Sequence, residues 1–215
     1  MARFSLLLLV SLLAASLAAA SDVQPVKKGD TIVFFGDSIT QGGGGPKGYV
    51  TAVKTALNQK HPDFGLTFVN AGISGHKVPD LQKRLEKDVL SRKPTLVFIY
   101  IGINDVWHFT HSATKGQGTP KDVYEAGLKD LIAKIAAAGA RVILCTPSVI
   151  GEKTDSSNGQ DGLLDEYSSI SRKVALDTKS QLCDLNKAFR DYLRANNPEN
   201  KEKGILTSDG VHLNE

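Results

Sequence analysis

Five short apolar segments recur along the chain from residue 31 onward. They are rich in β-branched and aromatic residues, and apolar and polar positions do not alternate within them. This pattern is typical of strands that are covered on both faces of a parallel sheet. The segments are TIVFF at 31–35, LTFVNA at 66–71, TLVFIYI at 95–101, RVILCT at 141–146 and QLCDL at 181–185.

The stretches between these segments place apolar residues at the spacing of amphipathic helices. The clearest helix is predicted at 119–138, where Thr119 can cap the first turn, Pro120 suits that turn and Gly139 supplies a stop. Further helices are predicted at 49–57, 78–90, 163–176 and 187–193. Strands that alternate with helices in this way predict a three-layer α/β/α fold with a five-stranded parallel sheet.

Residues 1–20 are predicted to be a cleaved signal peptide. Arg3 supplies a positive start, residues 6–17 are almost wholly apolar, and three alanines at 18–20 offer small residues for cleavage. The apolar run is shorter than the roughly 20 residues of a membrane span. An uncleaved anchor is the less favoured alternative. We therefore expect a secreted or periplasmic protein in which residues 21–215 form one domain.

The distribution of charge argues against a nucleic-acid partner. The formal net charge is +3, and basic residues such as Lys83, Arg84 and Lys87 alternate with acidic residues on predicted helices. Solvated helix faces explain this pattern better than a nucleic-acid surface does. We expect no nucleic-acid partner, no stable membrane association and a monomer.

The two cysteines, Cys145 and Cys183, match neither a disulfide framework nor a zinc site. Export would permit a single bridge between them. Each also lies in an apolar, strand-like segment, where a free cysteine behaves as a small buried hydrophobe. Two buried thiols are the favoured interpretation.

Polar groups and glycines follow the predicted strands. The first strand is followed by GDSIT at 36–40, the second by the glycine-rich turn at 70–75 and the third by GIND at 102–105. DGVH at 209–212 comes near the end. Because ligands of an open parallel sheet bind beyond the carboxyl ends of its strands, we expect these groups to converge. Acyl transfer needs such a set, with a nucleophile, a base, a group that orients the base and oxyanion donors.

The blocks GDSIT, the Gly72 turn, GIND and SDGVHLN, in this order and spacing, resemble those of the SGNH (GDSL) hydrolase family. The resemblance covers about residues 30–215 and implies the flavodoxin-like fold of that family and a serine ester hydrolase. It implies that Ser38 is the nucleophile, that His212 is the base and that Asp209 orients the base.

The resemblance also implies the donors of an oxyanion hole. They are the backbone N–H of Gly72 and the side-chain amide of Asn104, and the Ser38 N–H would be a third donor. Elementary chemistry agrees with the catalytic roles, because a neutral imidazole can accept the serine proton during attack. Asp37 and Asp105 are interpreted as structural residues that tie their turns through backbone hydrogen bonds.

Several other features invite different interpretations. Ser74 lies in a glycine-rich turn but lacks the Gly-x-Ser-x-Gly pattern of a nucleophile elbow. Residues 43–48 match the dinucleotide pattern G-x-G-x-x-G but begin well beyond the first strand. His108 and His111 could bind a metal, yet no acidic or cysteine partner is suitably spaced. We expect neither a cofactor nor a metal.

The substrate is predicted from the loops around the blocks. The loop at 105–118 is polar and aromatic, the loop at 148–161 is polar, and no long apolar lid is evident. Trp107, His108 and Phe109 are predicted to contact the substrate. These features favour a small acyl ester, chiefly acetyl, of a hydrophilic alcohol such as a carbohydrate. A lysophospholipase, a thioesterase or a generic short-chain esterase is the alternative.

A non-catalytic binding module with this fold is a further alternative, against which the intact set of Ser38, Asp209 and His212 speaks. The chain stops at Glu215, and the resembling family normally continues into a helix beside the last block. Asn214 and Glu215 look like the start of such a helix. We therefore expect that the domain lacks its C-terminal helix.

Overall fold

The structure is a computed structural model that describes residues 25–214. The predicted signal peptide lies outside the described residues. The strands are β1 (Thr31–Gly36), β2 (Thr67–Gly72), β3 (Leu96–Tyr100), β4 (Arg141–Cys145) and β5 (Gln181–Cys183). The helices are α1 (Ser38–Gly42), α2 (Tyr49–Lys60), α3 (Val78–Asp88), α4 (Ile103–Trp107), α5 (Lys121–Ala137), α6 (Asp161–Thr178) and α7 (Leu185–Asn196), with a short 3-10 turn at Leu90–Arg92.

The strands form a five-stranded sheet in the order β2-β1-β3-β4-β5, and every neighbouring pair is parallel. The predicted fold class is therefore confirmed. Gly36 at the end of β1 is in register with Gly72 at the end of β2 and with Tyr100 at the end of β3. The segments that follow these strands consequently start from one edge of the sheet.

Alternate residues of β1 pack on opposite faces of the sheet. Val33 and Phe35 belong to a core cluster that includes residues of α3, α5 and α6. Ile32 and Phe34 belong to a second cluster, which includes Val50 of α2. All four β1 side chains are at most 1% exposed. Burial on both faces explains why this strand shows no alternation of apolar and polar residues.

Two features differ in detail from the sequence-based expectation. The short helices α1 and α4 span five residues each, too few to show helical periodicity in the sequence. The long helix α5 begins at Lys121 with Pro120 as its N-cap, and the Thr119 side chain makes no capping bond.

Cys145 and Cys183 are free thiols that lie opposite each other in register, the first buried and the second half-buried.

No helix within residues 25–214 has the length and the apolar character needed to cross a membrane.

The loop at 148–161 holds the last segment of the described chain. Glu152 is fully buried. Its carboxylate accepts hydrogen bonds of 2.5 to 2.8 Å from the backbone N–H groups of Ile205, Leu206 and Thr207 and from the Thr207 hydroxyl. A buried carboxylate needs such donors, because without them the loss of its hydration would be very unfavourable.

Backbone hydrogen bonds strengthen the same attachment. The Gly151 N–H donates to the Gly210 carbonyl at 2.7 Å, and the Glu152 N–H donates to the Glu202 carbonyl at 2.9 Å. Thr207 also pairs with Leu213 as an isolated antiparallel bridge. The segment at 202–213 is therefore fixed to the loop although it contains no helix and no strand.

We predict that Glu152→Gln lowers the free energy of unfolding by about 2 to 3 kcal/mol. The amide nitrogen of glutamine is a donor, so it would face N–H groups and leave at least one of them without an acceptor. Urea denaturation measures the change. Glu202→Gln is the matched control, since Glu202 lies in the same segment with an exposed side chain and should change stability by less than about 0.5 kcal/mol. Equal stability of Glu152→Gln and the wild type would show that the carboxylate does not hold the segment.

Candidate active site

Ser38 lies directly beyond the end of β1, at the first position of α1. The Asp37 side chain caps this helix by accepting the Ile39 N–H at 2.9 Å. As the first helical residue, Ser38 has no intrahelical acceptor for its own N–H. Its Oγ lies 2.9 Å from Nε2 of His212. A hydroxyl that is hydrogen-bonded to an imidazole and a free backbone donor are therefore present at one residue.

The His212 ring is held from its other side by Asp209. Nδ1 of His212 lies 2.7 Å from Oδ2 of Asp209. The other carboxylate oxygen, Oδ1, accepts the backbone N–H groups of Val211 and His212 at 3.0 and 2.8 Å. Burial alone would raise the pKa of the Asp209 carboxyl, but these hydrogen bonds hold it below its ordinary value. The carboxylate is thus charged at neutral pH and fixes the tautomer of the ring.

Asn104 reaches the same edge from the end of β3. Gly102, the N-cap of α4, has a φ of 128°, a conformation that L side chains rarely adopt. Asn104 is 3% exposed, and its Nδ2 donates to the His76 carbonyl at 3.0 Å. Because a primary amide carries two N–H groups, one of them is left for a ligand.

The glycine-rich turn after β2 differs from the expectation for Gly72. The Gly72 N–H donates to Oδ1 of Asn70 at 2.9 Å. A Cβ at Gly72 would lie 2.1 Å from the Gln41 backbone nitrogen, so glycine is required here for close packing against α1. The structure therefore does not leave the Gly72 N–H free to bind an oxyanion.

Gly75, three residues later, was not singled out in the sequence. It has a φ of 76°, and a Cβ at this position would meet no other atom within 4 Å. It directly precedes His76, whose carbonyl accepts a hydrogen bond from the Asn104 amide. The sequence signal that could have found it is the second glycine of the same turn.

Arg84 is a second residue whose position the sequence did not reveal. It was predicted to lie on a solvated helix face, but it is only 8% exposed. Its guanidinium donates to the carbonyls of Gly36 and Ala71, at 2.8 and 2.7 Å, and to Nδ1 of His76 at 3.0 Å. The amphipathic pattern of α3 does not distinguish this arginine from the exposed Lys83 beside it.

The structural interpretation of Asp37 and Asp105 is confirmed by their contacts. Asp37 caps α1, and Oδ1 of Asp105 accepts the Val78 N–H at 3.1 Å. Burial raises the pKa of the Asp37 carboxyl to about 7, and the negative charge of Asp105 adds to this rise. Burial likewise raises the pKa of Asp105 to about 6.

Of the three residues predicted to contact a substrate, only Trp107 lies beside the His212 ring, with the two rings edge-to-face and their centroids 6.3 Å apart. His108 is 8% exposed. Phe109 packs its ring against Gly118. Trp107 also borders a cleft of about 290 Å³, whose lining includes Ile150, Lys153, Glu202 and Asp209.

Ser74, the glycines at 43–48 and His111, which the sequence offered for other functions, make contacts that are explained by the fold. The Ser74 N–H donates to Oε1 of Gln41 at 2.8 Å, and Ser74 is an exposed turn residue. The glycines at 43–48 form a tight turn, since a Cβ at Gly48 would lie 2.3 Å from the Gly43 carbonyl oxygen. The ring of His111 lies 4.2 Å from that of Trp107. Within residues 25–214 no group of three or more His, Cys, Asp or Glu side chains could hold a metal ion.

The chain is similar in sequence and in structure to known esterases. The chain is 35% identical over 202 residues to the acetylxylan esterase of Geobacillus stearothermophilus, over 87% of this chain and 88% of that protein. The crystal structure of the acetyl xylan esterase AlAXEase matches with a TM-score of 0.81 and 46% identity, and the match covers 86% of this chain and 91% of that one.

The crystal structure of Axe2, an acetylxylan esterase from Geobacillus stearothermophilus, also matches, with a TM-score of 0.78 and 32% identity over 89% of this chain and 90% of that one. Catalytic mutants of Axe2 have been solved in which a serine, a histidine or an aspartate is replaced by alanine. Residues 34–215 of the present chain match the profile of the GDSL-like Lipase/Acylhydrolase family. The resemblance to SGNH (GDSL) hydrolases is thereby confirmed, and the chain belongs to the GDSL-like lipase/acylhydrolase family.

Proposed function

We propose that this protein is a serine ester hydrolase that removes acetyl groups from a carbohydrate. The observation that carries the proposal is the continuous hydrogen-bonded chain from Ser38 Oγ through the His212 ring to the Asp209 carboxylate. The names of the similar proteins support the same substrate class. A lysophospholipase, a thioesterase or a generic short-chain esterase remains the alternative function.

In the proposed reaction, Ser38 Oγ attacks the ester carbonyl carbon while Nε2 of His212 takes the serine proton. The Asp209 carboxylate stabilises the imidazolium that forms. His212 then passes its proton to the oxygen of the leaving alcohol, and the acetyl group stays on Ser38. A water molecule, deprotonated by the same imidazole, attacks the acetyl-enzyme, and acetate leaves as Ser38 regains its proton.

The carbonyl oxygen becomes negative in the tetrahedral intermediate and needs donors. The Ser38 N–H and the free N–H of the Asn104 amide supply two of them. We assign the third to the Gly75 N–H rather than to Gly72, because the Gly72 N–H is bonded to Asn70. Gly75 belongs to the turn that already contacts Asn104 through the His76 carbonyl.

The expected position of the sugar follows from the chemistry of the reaction, in which the sugar is the leaving group. Its oxygen must lie within hydrogen-bond reach of His212 Nε2, and Trp107 lies beside that ring. The adjoining cleft has charged residues, Lys153 and Glu202, at its lining. An aromatic surface next to polar groups suits a hydrophilic alcohol such as a sugar. Trp107 is therefore the substrate-binding residue of this proposal. His108, which is buried, and Phe109, whose ring packs against Gly118, are not included in it.

Export also remains a proposal. The positive residue, the apolar run and the alanines at 1–20 support a signal peptide and a secreted or periplasmic site of action. Acetylated polysaccharides are too large to enter a cell, so an enzyme that acts on them benefits from export. We likewise retain the expectation of a monomer.

A substrate panel tests the proposed function. We predict that acetylated xylo-oligosaccharides and p-nitrophenyl acetate are hydrolysed, and that kcat/KM for p-nitrophenyl esters falls as the acyl chain lengthens. The physical reason is that the cleft beside Trp107 and Asp209 is lined mostly by polar and charged residues, which a long apolar tail would leave without hydrogen-bond partners. Released acetate and p-nitrophenol are measured. Preference for an octanoyl or longer ester, or for a lysophospholipid, would replace the proposed substrate class by the alternative.

We predict that Ser38→Ala lowers kcat for p-nitrophenyl acetate by a factor on the order of 10⁴. Ser74→Ala should keep kcat within about twofold of the wild type, because Ser74 lies in the turn without a base beside its hydroxyl. Initial rates and circular dichroism of both variants are compared. The assignment fails if the Ser74 variant is the inactive one.

His212→Ala should reduce kcat more than Asp209→Asn does, since the imidazole moves the proton whereas the carboxylate only orients it. Residues that act as one unit are non-additive, so the double variant should resemble His212→Ala within about threefold. Steady-state kinetics of the three variants measure this. Losses that multiply would place Asp209 outside the relay.

A further inference from the structure

Arg84 of α3 is a buried cation that the proposed reaction has not used. Its charge is compensated by Asp88 one turn later, with Nη1 and Oδ2 3.1 Å apart, and by the Phe35 ring, whose centroid lies 4.5 Å below the guanidinium carbon. Burying a charge is unfavourable unless it is paired and hydrogen-bonded. The other N–H donors of Arg84 show which parts of the chain this buried side chain connects.

Those donors join three separate segments. Nη2 binds the Gly36 carbonyl, two residues before Ser38, and Nη1 binds the Ala71 carbonyl at the end of β2. Nε binds Nδ1 of His76, in the turn that follows Gly75. A single rigid group therefore bridges the strand that ends at the nucleophile and the turn that carries a proposed oxyanion donor.

The chain of contacts continues to the other proposed donor. The carbonyl of His76 accepts Nδ2 of Asn104 at 3.0 Å. Because Arg84 donates through Nε, Nδ1 of His76 must be unprotonated and the ring neutral. Burial and the charge of Arg84 both lower the pKa of His76, in agreement with this form. Arg84 is thus connected through His76 to Asn104.

Lysine could not make the same set of contacts. A guanidinium presents five N–H donors in a fixed plane, whereas an ammonium is a single point with three rotatable donors. The Gly36 and Ala71 carbonyls and the His76 ring are reached from three different nitrogen positions of Arg84. Planarity is therefore what fixes the distance between the segments.

We propose that Arg84 is a positioning residue for hydrolysis, which holds the Gly75–His76 turn and Asn104 at the correct distance from Ser38. The inference rests on the proposed function. The oxyanion donors come from three segments of chain, and a displacement of about 1 Å in such a site can reduce the rate a hundredfold. Arg84 acts through the turn and does not itself contact the substrate.

Arg84→Met and Arg84→Lys are tested with p-nitrophenyl acetate. We expect kcat to fall about 100-fold in Arg84→Met and about 10-fold in Arg84→Lys, with KM within about threefold of the wild type. Arg172→Met is the control, since Arg172 of α6 donates from two nitrogens to the Asp184 carboxylate away from the site. It should keep kcat within about twofold although it also removes a hydrogen-bonded ion pair.

A double-mutant cycle with Asn104→Ala separates positioning from general stability. If Arg84 positions Asn104 as well as the Gly75–His76 turn, the loss in the double variant should be at least about threefold smaller than the product of the two single losses, because the part of the Arg84 effect that acts through Asn104 is already gone. Multiplying losses, or an unchanged kcat in Arg84→Met, would overturn the inference. If Arg84→Met does not fold, Arg84→Lys decides in the same cycle. Absence of ester hydrolysis by the wild type, measured first, would instead refute the proposed function.

Discussion

Hydrogen bonding to the buried carboxylate of Glu152 is the interaction on which the position of His212, the proposed base, depends. The segment from 197 to 214 contains no helix and no strand, so regular backbone hydrogen bonds cannot fix it. Glu152 supplies the missing acceptors for three consecutive backbone N–H groups and a hydroxyl just before Asp209. Hydrogen bonds to a charged group contribute about 1.5 to 3 kcal/mol each. These hydrogen bonds fix the part of the segment that directly precedes Asp209 and His212.

The buried cation Arg84 has the corresponding function on the side of the site that carries the proposed oxyanion donors. Arg84 ties the ends of β1 and β2 to the turn beyond Gly75, as Glu152 ties the last segment to the loop after β4. Ser38 follows β1, which Arg84 contacts at Gly36, and its hydroxyl contacts His212 of the last segment. The parallel sheet brings the segments to one edge, and the two buried charges then set their distances. Every side-chain nitrogen of Arg84 and both carboxylate oxygens of Glu152 have a hydrogen-bond partner, and a buried charge is tolerated only with such partners.

Much of this could be predicted from the sequence. The strands are unbroken apolar segments, and the blocks around Ser38, Asn104 and His212 carry the family's pattern, so both fold and candidate triad were accessible. Gly72 and Gly75 could not be distinguished, because the choice depends on where the Asn70 side chain donates and accepts. Arg84 and Glu152 were missed for a common reason. A charged residue on an amphipathic helix or in a polar loop looks exposed until tertiary contacts are known.

The activation of Ser38 by His212 is tested most directly by covalent labelling with a fluorophosphonate probe, followed by mass spectrometry of the digested protein. We predict one adduct per chain, on the peptide that contains Ser38, at a rate that falls by a factor on the order of 10³ in folded His212→Ala. The control Ser74→Ala should be labelled at the wild-type rate. An adduct on Ser74 or another residue, or labelling of Ser38 at an unchanged rate without His212, would contradict the catalytic relay.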